Sequence, residues 1–187
     1  MTITIRQATP NDASSIAPLI YDAIGEIANN LTGEQQLPKI LVSLAQFVTE
    51  TTNRHSYLNT FVATKEDTIL GIVVLYDGKR GYELDRQLEK QLAQKNIHVT
   101  LDVEAHEDEY YIDTICVSEN ARGQGVGTKL LHFAEQQGKQ LGYDKISLNV
   151  ELEKKDARRL YERIGYVVTE PWTIINEPFH HMVKSLY

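Results

Sequence analysis

The stretch Ala121-Arg122-Gly123-Gln124-Gly125-Val126-Gly127-Thr128-Lys129-Leu130-Leu131 restricts this chain more than any other. A strand-like run, Tyr110-Tyr111-Ile112-Asp113-Thr114-Ile115-Cys116-Val117, precedes it. A helical pattern follows, with Val126, Leu130, Phe133, Ala134 and Leu141 spaced to share one face. A strand that feeds a glycine loop opening a helix aims unpaired backbone N–H groups, and the positive end of the helix dipole, at one point. Gly123, Gly125 and Gly127 let that backbone close on an anion with no Cβ in the way. Arg122 adds a charge suited to phosphate oxygens. A glycine-rich helix start with no ligand is the plain alternative.

Two familiar phosphate loops do not fit. Walker A needs a glycine before its lysine, and Thr128 precedes Lys129. The dinucleotide fingerprint needs a third glycine where Thr128 stands. The pattern Arg/Gln-x-x-Gly-x-Gly/Ala does fit, through Arg122, Gly125 and Gly127. It resembles the pyrophosphate loop of the GNAT superfamily of acyl-CoA-dependent N-acetyltransferases. A second stretch, Leu148-Asn149-Val150 through Ala157-Arg158-Arg159-Leu160-Tyr161-Glu162-Arg163-Ile164-Gly165-Tyr166, is similar to a later motif of that family. The resemblance is strong from Tyr110 to Tyr166 and elsewhere follows only the order of elements. One departure is Lys154, where many relatives carry a helix-capping asparagine that touches the cofactor.

The remaining residues predict one α+β domain over 1–187 with a mixed sheet flanked by helices. A strand spans Thr2 to Ala8, and a first helix runs to about Ala28, followed by a polar loop to Gln36. A second helix covers about Pro38 to Glu50, and Thr51 to Arg54 breaks it. Two strands, Tyr57 to Lys65 and Ile69 to Tyr76, flank a turn at Glu66-Asp67-Thr68. Residues 79–109 are read as an insertion: a polar helix with Leu84, Leu88 and Leu92 on one side, then an acidic run, mostly solvated surface. Beyond the second motif, Pro171 to Pro178 is read as irregular and Phe179 to Leu186 as the last strand.

The resemblance implies splayed core strands with acetyl-CoA lying between them as co-substrate. Ile115, Cys116 and Val117 would bind the pantetheine, with the Val117 N–H on the thioester carbonyl. Arg122, Gly123, Gln124, Gly125, Val126, Gly127 and Thr128 would hold the pyrophosphate. Asn149 or Lys154 would add a cofactor contact, and Tyr161 would serve as the acid for the leaving thiolate. Unbroken strand alternation puts Glu109, Tyr111 and Asp113 on one side, and Ile115 and Val117 with them. Asp113 is then the base, or a carboxylate that holds the acceptor. Glu26 and Glu34 are further acceptor-side positions, with ordinary surface charge as their alternative. The alternative role for Tyr161 is to fill the seam between helix and sheet.

Charge and residue usage narrow the function classes. The net charge of -7 argues against a nucleic-acid partner and suits a cationic amine acceptor. One cysteine, no membrane-length apolar run and an N-terminus without a leader pattern lead to an expected cytoplasmic protein. The histidines show no metal-ligand spacing, so no metal is expected, and Cys116 reads as a small core residue. A homodimer is left open. The expected activity is acetyl transfer from acetyl-CoA to a primary amine of a small molecule or peptide. Its rivals are a non-catalytic acyl-CoA sensor of the same fold and a glycine-loop nucleotide binder.

Overall fold

The computed structural model describes residues 2–187. Over these residues the strands are β1 (Thr4–Gln7), β2 (Thr60–Lys65), β3 (Thr68–Asp77), β4 (Tyr110–Val117), β5 (Lys145–Glu151), β6 (Val167–Ile174) and β7 (Glu177–Ser185). They form one sheet in the order β1-β2-β3-β4-β5-β7-β6. Every neighbouring pair is antiparallel except β4 and β5. The almost continuously apolar β3 lies inside the sheet, where both faces of a strand are covered.

Strand alternation divides the core between the two faces. Val62 and Ile72 are register partners and go to one cluster. Their neighbours Ala63 and Val73 go to the other. The first cluster is covered by α1 (Ala13–Ile24), α2 (Ile27–Thr32) and α3 (Leu37–Thr49), through Ile16, Ile20, Leu31, Ile40 and Leu44. The second is covered by α5 (Val126–Gln140) and α6 (Lys155–Arg163), through Val126, Leu130, Leu131, Ala134 and Tyr161. Leu130 and Leu131 are fully buried, each stabilising the fold by about 1.5–3 kcal/mol. Leu141, expected on the same stripe, lies beyond the end of α5 and is exposed.

Three expected boundaries move for local reasons. Gly25, at φ +54°, ends α1 early, and Asn29 to Thr32 then belong to α2 instead of a loop. The stretch expected to be irregular is a hairpin: β6 and β7 turn at Ile175-Asn176, both at positive φ. Pro171 fits there because β6 lies at the end of the strand order, with no partner on its outer side. Among the described residues no helix is long and apolar enough to cross a membrane.

Segment 79–109 also departs from the surface reading. Its helix, α4 (Gly81–Gln94), buries Leu84, Leu88, Leu92 and Asp85. Tyr76, Leu84, Ala105 and Tyr111 make a third apolar cluster beside it. The segment is tied back at Gly78, whose N–H donates to Glu109 O at 2.9 Å.

The feature that opens the sheet lies in β4. Ile112 pairs with Leu75 and Thr114 pairs with Val74, so Asp113 is an extra residue in the ladder. Such a bulge bends a strand and re-aims its side chains. On its parallel side β4 meets β5 only from Tyr110↔Ile146 to Ile112↔Leu148. Beyond the bulge the two strands part. The bulge also breaks the expected parity: Ile115 and Val117 pack on the α5 face, while Cys116 packs on the α1 face.

Gly78 offers a test of how segment 79–109 is seated. A Cβ there would lie 2.1 Å from the His106 carbonyl oxygen, whereas one at Gly81 would meet only the Tyr76 ring at 3.9 Å. Gly78→Ala is expected to destabilise by about 1–3 kcal/mol. Gly81→Ala is expected to be neutral or to stabilise by up to about 1 kcal/mol. Urea unfolding of both variants reads the difference, and equal midpoints would contradict the close approach.

Candidate active site

Where β4 and β5 part, a cavity of about 690 Å³ opens between them. Its lining runs through β4 from Tyr111 to Val117 and β5 from Leu148 to Glu151, and includes Ile24, Ile27, Leu160, Tyr161 and Phe179. Arg122 stands at one end. There the chain passes from β4 through the glycine loop into α5. Gly123 and Gly125 hold φ of +75° and +77°, a region that side chains with a Cβ rarely adopt. The first backbone bond at the start of α5 runs from Lys129 N–H to Gly125 O, at 3.1 Å. The N–H groups from Gly123 to Thr128 have no hydrogen-bond partner among the described residues. Six consecutive donors beside a guanidinium and a helix N-terminus fit a phosphate group.

The edge of β4 faces the gap with its backbone. The Ser118 N–H donates to Leu70 O on β3 at 2.8 Å. N–H groups alternate along an extended strand, so that of Val117 points the other way, into the gap. The Cys116 side chain lines the same gap, and burial pushes its thiol up to about 11. A thiol held in that form is a poor nucleophile.

Tyr161 projects from α6 into the cavity, and its side chain also packs in the core. Its hydroxyl makes no hydrogen bond to the described residues. Burial, reinforced by Cys116, pushes its pKa up to about 12, so the phenol keeps its proton at neutral pH.

Asp113 faces Arg54, a residue that periodicity does not mark. Arg54 is 3% exposed. Its Nε and Nη2 donate to Asp85 Oδ1 at 2.9 and 2.5 Å, and its Nη1 donates to Glu104 and to Asp113 Oδ1, the latter at 3.1 Å. Tyr76 donates to Asp113 Oδ1 at 2.9 Å and Thr114 donates to Asp113 Oδ2 at 2.7 Å. His55 Nδ1 is buried without a partner. The ring proton therefore belongs on Nε2, 3.3 Å from Asp113 Oδ2. Burial alone would raise Asp113, but the Arg54 guanidinium and the His55 and Thr114 bonds hold it well below the usual carboxylate range. Burial prevails at Glu104 and Asp85, and both sit above that range. Glu104 lines the cavity, and its Oε2 accepts the Tyr111 hydroxyl at 2.9 Å.

Several expected positions have partners within the protein, and some lie outside the cavity lining. The Asn149 amide is committed inside the protein: its nitrogen donates to Glu104 O at 2.7 Å and Tyr111 Oη at 3.2 Å, and its oxygen meets His181 Nδ1 at 2.7 Å. Both of its N–H donors are used, which leaves the second lone pair of its oxygen as the one side-chain position open to a cofactor amide. Lys154 spans the rim instead, donating to Ala23 O at 3.0 Å and pairing with Glu151 at 2.9 Å. Glu34 is held by Lys95 at 2.7 Å, and Glu26 is exposed outside the cavity lining. Glu109 is buried against Ser147 and His181 and does not line the cavity. The histidines do not all stay apart: His106 and His181 gather around Glu109, with one ligand-type atom from each within 4.8 Å of the others.

The comparisons bear on this arrangement directly. The acetyltransferase (GNAT) family profile matches residues 26–166. A solved acetyltransferase structure superposes with a TM-score of 0.81 at 28% identity, covering 98% of this chain and 100% of that one. An N-acetyltransferase from Staphylococcus aureus Mu50 does so at 0.81 and 25% identity, covering 96% of this chain and 99% of that one. Over 55 residues the chain is 36% identical to an aminoalkylphosphonate N-acetyltransferase of Salmonella typhimurium strain LT2, a match over 29% of this chain and 36% of that protein. The chain spans about a third or less of the curated relatives it matches. With its seven-stranded mixed sheet parted at β4 and β5 and a glycine loop at the mouth of the gap, the chain belongs to the acetyltransferase (GNAT) family.

Proposed function

We propose that this chain transfers an acetyl group from acetyl-CoA to a primary amine by direct attack, with a cationic acceptor. One observation carries the reading: the gap between β4 and β5 has unpartnered N–H groups at one end and a carboxylate-rich wall at the other. In this reading the N–H groups of Gly123 to Thr128 and the Arg122 guanidinium hold the pyrophosphate. The free edge of β4 at Ile115 to Val117 takes the pantetheine as an added strand. The Val117 N–H polarises the thioester carbonyl.

The acceptor approaches from the other end. Asp85, Glu104 and Asp113 outnumber the single Arg54 guanidinium there, which favours a cation. Asp113 is already satisfied and holds its proton weakly, so it positions Arg54, Tyr76 and His55 instead of acting as the base. Glu104 lines the cavity with a raised proton affinity and accepts the proton of the attacking amine. The amine nitrogen bonds to the carbonyl carbon, the C–S bond breaks, and Tyr161 gives its proton to the departing sulfur.

Thiol release from acetyl-CoA over a panel of amines tests the reaction. Diamines and other cations are expected to turn over faster than a neutral amine of similar size, with the preference shrinking as salt rises. Acetyl-CoA binding with no amine-dependent release would leave a sensor of the same fold. Tyr161→Phe separates acid from filler, because it keeps the ring and removes only the hydroxyl. The variant is expected to bind acetyl-CoA like the parent and to lose roughly ten- to a thousand-fold in kcat. That deficit should hold from neutral pH up towards the phenol's own value of about 12. Unchanged turnover would return Tyr161 to the core.

A further inference from the structure

Midway along β5 and β7, behind the cavity wall at Asn149, stands a second polar cluster whose own residues do not line the cavity. We propose that His106, Glu109 and His181 form a site for a divalent transition metal, with Zn²⁺ the ion that suits them best. One donor atom from each lies within 4.8 Å of the others. Two imidazoles and a carboxylate are a borderline-soft ligand set, which favours zinc over magnesium or calcium.

The hydrogen bonds around His181 carry the argument. The Asn149 nitrogen donates to Glu104 O at 2.7 Å, so its oxygen is the atom that faces His181 Nδ1 at 2.7 Å. Nδ1 must therefore carry a proton. In the neutral imidazole the other nitrogen, Nε2, then presents its lone pair to Glu109 Oε1 and Oε2 at 3.2 and 3.1 Å. A lone pair facing a carboxylate at that range is repulsive, so either a metal ion or a second ring proton lies between them. Ligand atoms about 2.0–2.2 Å from zinc are roughly 3.2–3.6 Å apart along a tetrahedral edge, close to this separation.

The surroundings are those of a supported site. Ser147 Oγ and the His106 N–H donate to Glu109 Oε2 at 2.8 and 3.0 Å, which leaves Oε1 contacted by His181 alone. Asn149 fixes the tautomer of His181, the role an outer-shell partner plays at metal centres. Trp172 stacks on the His181 ring at 4.5 Å and covers one side. His181 and Glu109 are buried, while the His106 side chain is 47% exposed and packs edge-on against the His181 ring at 5.5 Å. Glu170 Oε1 lies 2.7 Å from His106 Nε2 and holds that ring at the protein surface. The ion would clip the segment before β4 to β7.

The rival is a proton in place of the metal, giving an imidazolium–carboxylate pair. The experiment uses the full chain without a polyhistidine tag, stripped with a chelator and titrated calorimetrically with Zn²⁺ at neutral pH. One equivalent is expected to bind saturably and to raise the melting temperature. Co²⁺ is expected to give the visible absorption of a four-coordinate site. His106→Ala, at an exposed position, should weaken binding at least about tenfold while the fold persists. Glu109→Gln, which keeps size and shape, should do the same. No saturable uptake, or uptake that both variants leave unchanged, overturns the proposal in favour of the proton.

Discussion

A single buried guanidinium holds the polar interior of this protein together. Arg54 gathers Asp85 from α4, Glu104 from the loop after it and Asp113 from β4, partners that lie 31, 50 and 59 positions further along the chain. Burying one charge without partners is costly, and burying three carboxylates without Arg54 would cost more. The arrangement therefore makes segment 79–109 part of the structure that β4 needs. The tyrosines at 76 and 111 extend the same network, each donating to one of these carboxylates. The cavity wall is built from groups that satisfy one another first and face the cavity second.

The bulge at Asp113 links that network to the gap in the sheet. It turns one residue out of the ladder and towards Arg54. It also bends β4 away from β5 after three paired positions. The same local defect thus delivers the carboxylate and opens the space beside it. An uninterrupted β4 would place Ile115 and Val117 on the Tyr111 side and allow its ladder with β5 to continue.

Much of this was legible in the residues, and what was missed has a common cause. The glycine loop, the apolar stripes of the helices and the order of elements along the chain all rest on local patterns of conformation and burial. Arg54 and Glu104 sit in loops, where no periodicity marks a buried charge, and their partners are distant in the chain. Asp85 lies on a polar helix and looks like any solvated carboxylate until the fold buries it. Parity along β4 was misread because one extra residue reverses it. Asn149 has the right chemistry for a cofactor contact, yet its bonds go to His181 and Glu104. The approach of His106 to His181 depends on β7 lying beside β5, which spacing along the chain does not reveal.

Pro171 on the outermost strand has a consequence for how the molecule behaves in a crowd. An edge strand with exposed apolar side chains is a template on which another chain can add its own strand. β6 carries such side chains at Val167 and Val168, 59% and 37% exposed. Yet Pro171 has no N–H to offer, and the register shift between Val168 and Glu170 interrupts a straight ladder. Lateral growth of the sheet is thereby checked at its own border, and the molecule can leave two valines in water without seeding its own aggregation.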